Sequence, residues 1–223
     1  MNEYELALEI EGPAAMWTRP DTGSTPVSYP VPTASAVKGI FDAVLRRPHI
    51  YIKPLRIEIC KPLRYERYVT NYGGPLRNQG QIKGNNNYQL CATILVDVCY
   101  RIYGEIKMKE MSTRTREAPQ LRRRRGQDWR PKFKALFDER LERGFTFYAP
   151  CLGWKEFAPT YLGPFRGETK RETSVDDIVI PSLLCSMWDN RKLQPSYVQN
   201  WQIVKGVMSY RHQIPTEDEI YAE

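Results

Sequence analysis

The chain of 223 residues lacks any long apolar run. No stretch approaches the roughly 18 consecutive apolar residues that a membrane-spanning helix needs, and the mean hydropathy is −0.57. The first residues, MNEYELALEIEG, carry no basic segment followed by a uniform apolar core, which argues against a secretory signal. We therefore expect a cytoplasmic protein with no membrane partner.

Histidine is scarce and the cysteines are scattered. The two histidines, His49 and His212, lie far apart, and none of the five cysteines belongs to a C-x-x-C pair. This pattern excludes the common zinc-binding spacings and favours reduced, buried thiols over a disulfide framework. The sequence also lacks a Walker loop, a dinucleotide fingerprint and a G-x-S-x-G nucleophile motif. We expect neither a metal ion nor a cofactor.

Basic residues are abundant, and their excess is concentrated in one segment. Residues 112–134 hold nine of the 33 lysines and arginines but only two of the 26 acidic residues. The rest of the chain holds 24 of each sign, so the formal net charge of +7 resides in this segment. A block of one sign repels itself unless an anion neutralises it, and a phosphate backbone supplies such an anion. The charge distribution predicts a nucleic-acid partner.

Apolar periodicity and turn residues predict two helices among several strands. In the first predicted helix Thr33 or Ser35 is the expected cap, and Arg46 and Arg47 are expected in the last turn. Asp128 is the expected cap of the second helix. The predicted elements are, in order, a half-buried strand at 4–10, a helix at 33–48, a strand at 50–62, a turn-rich hairpin tip at 72–87, a strand at 88–108, a basic loop at 109–130, a helix at 128–144 and a strand at 145–149.

The resulting order β-α-β-β-α-β is typical of an α+β, ferredoxin-like domain of the RNA-recognition type. We predict that this domain spans residues 1–149. Residues 150–223 hold two candidate strands, at 177–187 and 201–210, broken by proline and glycine. They predict a small β-rich C-terminal subdomain rather than a second independent core.

Several motifs resemble a known family. In chain order they are AMWTRPDTGSTPVSYPVPTASAVKGI, KFKALFDERLERG, CLGWKEFAP and VKGVMSY, and the strongest matches are SYPVPTASAVKGI and YAPCLGWKEF. In this order they resemble the CRISPR-associated Cascade subunits of Cas family five, in the type I-C (Dvulg) variety. The resemblance covers nearly the whole chain.

This resemblance implies a ferredoxin-like domain that grips the 5′ handle of CRISPR RNA. The family member is a backbone subunit of the interference complex, beside a repeated backbone subunit and a large subunit, and it meets target DNA only through the complex. In the type I-C branch it commonly also cuts precursor RNA without a metal. The ribose 2′-hydroxyl then attacks the adjacent phosphate. A base takes the hydroxyl proton, an acid protonates the leaving oxygen, and a cation stabilises the charge that develops on the phosphate.

Only one of the three cutting positions that the family implies is kept. The family's Tyr or His near the end of the first helix falls on Leu45, and its Lys-His pair falls on Lys132 and Phe133. Leucine and phenylalanine cannot transfer protons, and both fit the apolar stripes of their helices. His49 and Tyr51 are candidates to replace the lost group near the first helix. We predict a protein that binds RNA without cutting it through the usual residues.

Eleven side chains are candidates for contacts to the RNA. Arginine pairs with phosphate through two parallel hydrogen bonds, helix N-termini attract anions, and tryptophan stacks on unpaired bases. Trp154 is a further stacking candidate, although a tryptophan in a short β segment more often packs in the core. The eleven are Lys38, Arg46, Arg47, Arg122, Arg123, Arg124, Arg125, Trp129, Arg130, Lys132 and Lys134.

Two alternatives stay open beside RNA binding within a Cascade complex. The same scaffold can be an active, metal-independent endoribonuclease that processes precursor CRISPR RNA. Setting the resemblance aside, the composition also suits a generic basic nucleic-acid-binding module.

Overall fold

A computed structural model describes residues 5–72, 79–84, 88–108, 129–189 and 192–211. In this part of the chain the protein is a mixed α/β fold whose main sheet is largely antiparallel. Its elements are β1 (Glu5–Ala15), a 3-10 turn (Pro20–Thr22), α1 (Ala34–Val44), β2 (Ile50–Ile59), β3 (Arg64–Tyr72), α2 (Gln79–Lys83), β4 (Tyr88–Met108), α3 (Arg130–Glu142), β5 (Tyr161–Gly163), β6 (Ile178–Asp189), β7 (Lys192–Ile203) and β8 (Val207–Ser209).

The long strand β4 organises the main sheet. It is 21 residues long and rich in β-branched and aromatic residues, which suit a strand with neighbours on both edges. Its first half pairs with β3, and its second half lies between β1 and β2. The strand order is β5-β1-β4-β2-β8, and β6 and β7 form a separate two-stranded sheet. The predicted strand at 88–108 is confirmed.

One face of the main sheet carries the apolar core. Leu6, Leu8 and Ile10 alternate along β1 and are fully buried, as the period of two predicted. The apolar stripe of α1 packs on this face, and the Phe41 ring lies 5.8 Å from the Phe137 ring of α3. Both helices therefore cover the same side of the sheet.

The alternation predicted for β1 is confirmed on its apolar face, but the opposite face is more covered than a half-buried strand would have it, with Glu5 and Glu9 buried and Glu11 partly exposed. Glu9 points away from the apolar core, yet its side chain has no exposed surface. It accepts hydrogen bonds from Arg166 Nε at 2.6 Å and from Thr169 Oγ1 at 2.8 Å, and it pairs with Arg101 at 3.5 Å. These bonds compensate the cost of taking a carboxylate out of water. The chain around residues 164–172 covers this face.

Both helices begin near their predicted starts, but α1 ends earlier than predicted. Thr33 caps α1, because its Oγ1 accepts a hydrogen bond from the amide of Ala36 at 3.3 Å. The helix stops at Val44, so Arg46 and Arg47 follow it rather than lying in its last turn. The predicted cap of α3, Asp128, lies outside the described residues.

The predicted strand at 145–149 is wrong. Gly144 adopts a left-handed φ of +66° and ends α3. The amide of Phe145 then donates to the carbonyl of Arg140 at 2.8 Å, and the amide of Phe147 donates to that of Ala43 at 2.7 Å. These backbone groups therefore bond to the ends of two helices. The strand that pairs with β1 is β5, further along the chain.

The C-terminal part of the chain is shared between the two sheets. The candidate strand at 177–187 is confirmed as β6, whereas the candidate at 201–210 is two elements. A turn with Lys205 and Gly206 at positive φ separates the end of β7 from β8. Both β5 and β8 pair with strands of the N-terminal part. The division into residues 1–149 and 150–223 stays a prediction.

The five cysteines are free, as predicted, but Cys99 alone among them is buried. No helix within the described ranges has both the length and the apolar character needed to cross a bilayer.

Candidate nucleic-acid interface

The densest part of the basic segment lies outside the described residues. Residues 109–128 are not described, and they include the four-arginine run Arg122, Arg123, Arg124 and Arg125. These four side chains stay predictions from the sequence. The structure describes the segment's C-terminal end, where it becomes the first turns of α3.

The start of α3 presents Lys132 to solvent. Lys132 is exposed and makes no ion pair within the described part of the chain, whereas Lys134 bonds to Asp138 at 3.1 Å across one helical turn. Arg130 is half-buried and already engaged in a contact. Among the described residues no side chain caps this helix start, and the first amides of a helix add to the positive potential at its N-terminus. Lys132 is therefore the described lysine of α3 best suited to meet a phosphate.

Trp129 and Trp154 are both occupied by contacts within the chain. The Trp129 ring lies 5.8 Å from the Phe133 ring in an edge-on arrangement. The Trp154 ring stacks on Phe157 at 5.8 Å, and its Nε1 donates to Thr18 Oγ1 at 3.0 Å. Both tryptophans pack against the apolar core. The packing interpretation of Trp154 is the one that these contacts favour.

The end of α1 supplies a second group of cations. Arg46 and Arg47 are exposed in the connection from α1 to β2. Lys38 lies further back on the same helix, where its Nζ bonds to Asp42. Because that bond ties Lys38 to its own helix, the two arginines are the cations at this end that are open to an anion.

The positions that would carry proton-transfer groups are packed into the protein. Leu45 is 2% exposed and belongs to the core, and Phe133 is half-buried against Trp129. His49 and Tyr51 lie at the start of β2 and are half-buried. No described contact joins either of them to Lys132.

Direct contacts join the ends of α1 and α3. Arg140 Nε donates a hydrogen bond to the carbonyl of Val44 at 2.6 Å. Arg140 lies eight residues beyond Lys132, or about 12 Å along the helix axis. Arg46 and Arg47 come shortly after the end of α1, which bonds through Val44 to the last turns of α3. Lys132 lies at the other end of α3.

An aromatic surface beside the end of α3 was missed from the sequence. Phe145, Phe147 and Tyr148 are 53%, 47% and 42% exposed. The sequence pattern predicts a strand at these residues, because alternating aromatics are also typical of a half-buried strand. The guanidinium of Arg140 lies over the Phe147 ring, 4.1 Å from its centre. Burial raises the pKa of the Tyr148 hydroxyl; the charge of Asp42 adds to this, and that of Arg46 opposes it.

A small cavity opens beside Phe145. It has a volume of about 190 Å³, and its lining includes Val44, Arg140, Leu141 and Phe145. Among the described residues, no three His, Cys, Asp or Glu side chains come together as a metal site.

Two proteins, one from Thermus thermophilus and one from Mannheimia succiniciproducens, are similar to this chain in sequence. The Thermus protein is 28% identical over 166 residues, and the Mannheimia protein is 29% identical over 167 residues. Both are named CRISPR pre-crRNA endoribonuclease Cas5d. The alignments cover 73% and 68% of this chain, but they span only 65% of the Thermus protein and 69% of the Mannheimia protein.

Solved structures share the fold. A structure described as a CRISPR-associated protein has a TM-score of 0.67 at 18% identity and covers 94% of this chain and 92% of its own. The functionally uncharacterized protein SMU1763c from Streptococcus mutans has a TM-score of 0.65 at 17% identity and covers 93% and 92%. At these identities the likeness concerns the fold alone.

A sequence model of one protein family decides the assignment. The family is described as CRISPR-associated protein (Cas_Cas5), and its Cas5d model matches residues 5–195. This match covers most of the chain and confirms the resemblance seen in the motifs. The chain therefore belongs to the CRISPR-associated Cas5 family.

Proposed function

We propose that this protein binds CRISPR RNA as a backbone subunit of a type I-C Cascade interference complex and holds the 5′ handle of the RNA in antiviral defence. The observation that carries the proposal is the Cas5 family match over residues 5–195. The charge distribution supports it independently, because the net positive charge is confined to the segment that leads into α3. The exposed Lys132, Arg46 and Arg47 are in keeping with contacts to phosphates.

We further propose a ferredoxin-like domain of the RNA-recognition type. The strand order β5-β1-β4-β2 supports this assignment, with α1 between β1 and β2 in the chain and α3 between β4 and β5. The hairpin of β3 with the first half of β4 is then an insertion into that pattern. The expected partners are a repeated backbone subunit and a large subunit, with target DNA reached through the complex.

The RNA that co-purifies from cells tests the proposal. The protein should be expressed with the CRISPR array and the other genes of its own locus and purified through a tag on this chain. We expect short RNAs that share one 5′ end derived from the repeat. Random cellular RNA would instead support a generic basic nucleic-acid-binding module, and the absence of bound RNA would contradict both.

A second candidate function is metal-independent cleavage of precursor CRISPR RNA. The names of the two curated relatives favour it. In that reaction the 2′-hydroxyl attacks the adjacent phosphate, and Lys132 would stabilise the charge that develops there. The buried Leu45 and the packed Phe133 cannot act as base or acid. We therefore place RNA binding first.

Incubation of the purified protein with repeat RNA in EDTA separates the two functions. We expect the RNA to remain intact. Site-specific cleavage that leaves a cyclic phosphate, and that Lys132→Ala abolishes, would establish the second candidate. Dependence of that cleavage on His49 or Tyr51, measured with His49→Ala and Tyr51→Phe, would locate the proton-transfer group at the start of β2.

A further inference from the structure

Large apolar side chains are exposed in a cluster at the end of α3. Of the eight such side chains exposed in the described part of the chain, three fall within residues 145–148. Single exposed apolar residues are ordinary, whereas several of them close together are typical of an interaction or ligand-binding surface. Phe145, Phe147 and Tyr148 form this group, which we call the aromatic patch.

The aromatic patch is held in place by bonds to α1 and α3. The amide of Phe147 donates to the carbonyl of Ala43 at 2.7 Å, and the hydroxyl of Tyr148 donates to that of Gly39 at 2.8 Å. The amide of Phe145 donates to Arg140 at 2.8 Å. The backbone of Phe145 and Phe147 and the side chain of Tyr148 are thus held in place before any ligand arrives, which lowers the entropic cost of binding.

Arginines lie beside the aromatic patch. Arg140 covers one face of the Phe147 ring at 4.1 Å, and the charges of both Asp42 and Arg46 reach Tyr148. The acids nearby are largely neutralised, because Asp42 pairs with Lys38 and Glu139 with Arg143. Arg46, Arg47 and Arg140 therefore outweigh the exposed Glu142.

Rings flanked by cations suit one class of ligand. Proteins that hold single-stranded nucleic acid stack bases on aromatic rings and contact phosphates with nearby arginines. In a duplex the bases are already stacked on each other and are not free to do so. A protein partner would also accept aromatic side chains, but Arg46 and Arg47 are exposed and make no ion pair in the described part of the chain, which favours a polyanion.

We propose that Phe145, Phe147 and Tyr148 form a stacking site for unpaired nucleobases of RNA, with Arg46 and Arg47 contacting the adjoining phosphates. The inference deepens the proposed RNA-binding function and rests on it. It assigns this site to the C-terminal end of α3, apart from Lys132 at the other end. The cavity beside Phe145 gives a base edge or ribose room to enter.

Binding of two RNA probes tests the site. The full-length protein and its variants are titrated against a fluorescein-labelled oligoadenylate of twelve nucleotides and against a blunt RNA duplex, with anisotropy as readout. We expect Phe145→Ala/Tyr148→Ala to weaken binding of the single strand by about five- to a hundred-fold, the range for losing one base stack. Affinity for the duplex should remain within about twofold.

Three variants control the measurement. Tyr148→Phe keeps the ring but loses the hydrogen bond to Gly39, and it should weaken single-strand binding less than Tyr148→Ala does. Tyr197→Ala removes an aromatic side chain of similar exposure, 43%, from the separate β6–β7 sheet and should change neither affinity. Phe145→Ala alone is the fallback if the double variant unfolds, because that side chain is 53% exposed.

The outcomes separate this inference from the function on which it rests. If the parent binds RNA and the double variant binds the single strand equally well, the stacking site is overturned and the proposed function stands. The same holds if the double variant instead loses partner subunits during co-purification, which would assign the aromatic patch to a protein. Equal loss for both probes also overturns it, and failure of the parent to bind RNA would overturn both.

Discussion

The two ends of α3 present different chemistry on one helix of 13 residues. The first turn carries the exposed Lys132 and continues the basic segment, whereas the last turn leads into the aromatic patch at residues 145–148. Cations attract any phosphate backbone, so they supply affinity with little selectivity. Rings require bases that are free to stack, so they select single strands. On this proposal, one end of α3 supplies affinity for phosphate and the other end supplies selectivity for single strands.

The largest expected effect comes from Phe137, which supports both ends. Phe137 is fully buried and packs on Phe41 of α1. We expect Phe137→Ala to lower the free energy of unfolding by about 3–5 kcal/mol, because it removes a large core side chain and leaves a cavity. Urea denaturation measures this. Phe145→Ala is the matched control and should change the free energy by no more than about 0.5 kcal/mol. Equal losses would show that the aromatic patch is part of the core.

The next effect concerns the basic segment before α3. We expect Arg122→Glu/Arg124→Glu to weaken repeat-RNA binding by about a hundredfold, since each arginine replaced removes a charge-assisted hydrogen bond to phosphate. Filter binding at fixed salt concentration measures it. Lys170→Glu/Arg211→Glu makes the same change of charge at exposed positions elsewhere and should weaken binding far less. Equal weakening by both would attribute the effect to overall charge.

A smaller effect is expected from Lys132 alone. Lys132→Ala should weaken repeat-RNA binding by about tenfold, because one cation at a helix start is lost. The control is Arg143→Ala, which removes a cation from the other end of the helix. Arg143 already pairs with Glu139 at 3.3 Å, so its loss should weaken RNA binding less. An unchanged affinity in Lys132→Ala would mean that this end of α3 does not face the RNA.

The smallest effect is expected from Lys134. Its Nζ is tied to Asp138, and an exposed pair of this spacing contributes only a few tenths of a kcal/mol. We expect Lys134→Ala to change the dissociation constant for RNA by no more than about twofold. The equilibrium constant of unfolding should likewise change by no more than about twofold. A loss as large as that of Lys132→Ala would show that Lys134 leaves Asp138 to bind phosphate.

The parts of the fold that depend on local periodicity could be predicted from the sequence. The stripe Val37, Ile40, Phe41, Val44 and Leu45 predicted the buried side of α1, and all five are buried. The alternation along β1 likewise predicted its apolar face. In each case the buried set follows from the geometry of one element.

The parts that depend on distant partners could not be predicted. The burial of Glu9 needs Arg101 and Arg166, which lie far along the chain. Residues 145–149 have strand-like composition, but their backbone bonds to α1 and α3 instead of to a strand. The exposure of the aromatic patch follows from those bonds, so the sequence alone did not reveal it. Family motifs indicated the RNA-binding class, while contacts decided which side chains are available.

The salt dependence of RNA affinity tests the central claim most directly. Dissociation constants of the parent, Lys132→Ala and Phe145→Ala for one single-stranded RNA are measured from about 50 to 200 mM salt. The account predicts that Lys132→Ala reduces the slope of log affinity against log salt by about 0.7, the value for one phosphate contact to a single strand. Phe145→Ala should shift the line without changing its slope. Equal slopes for all three proteins, or a parent protein that binds no RNA, would contradict the account.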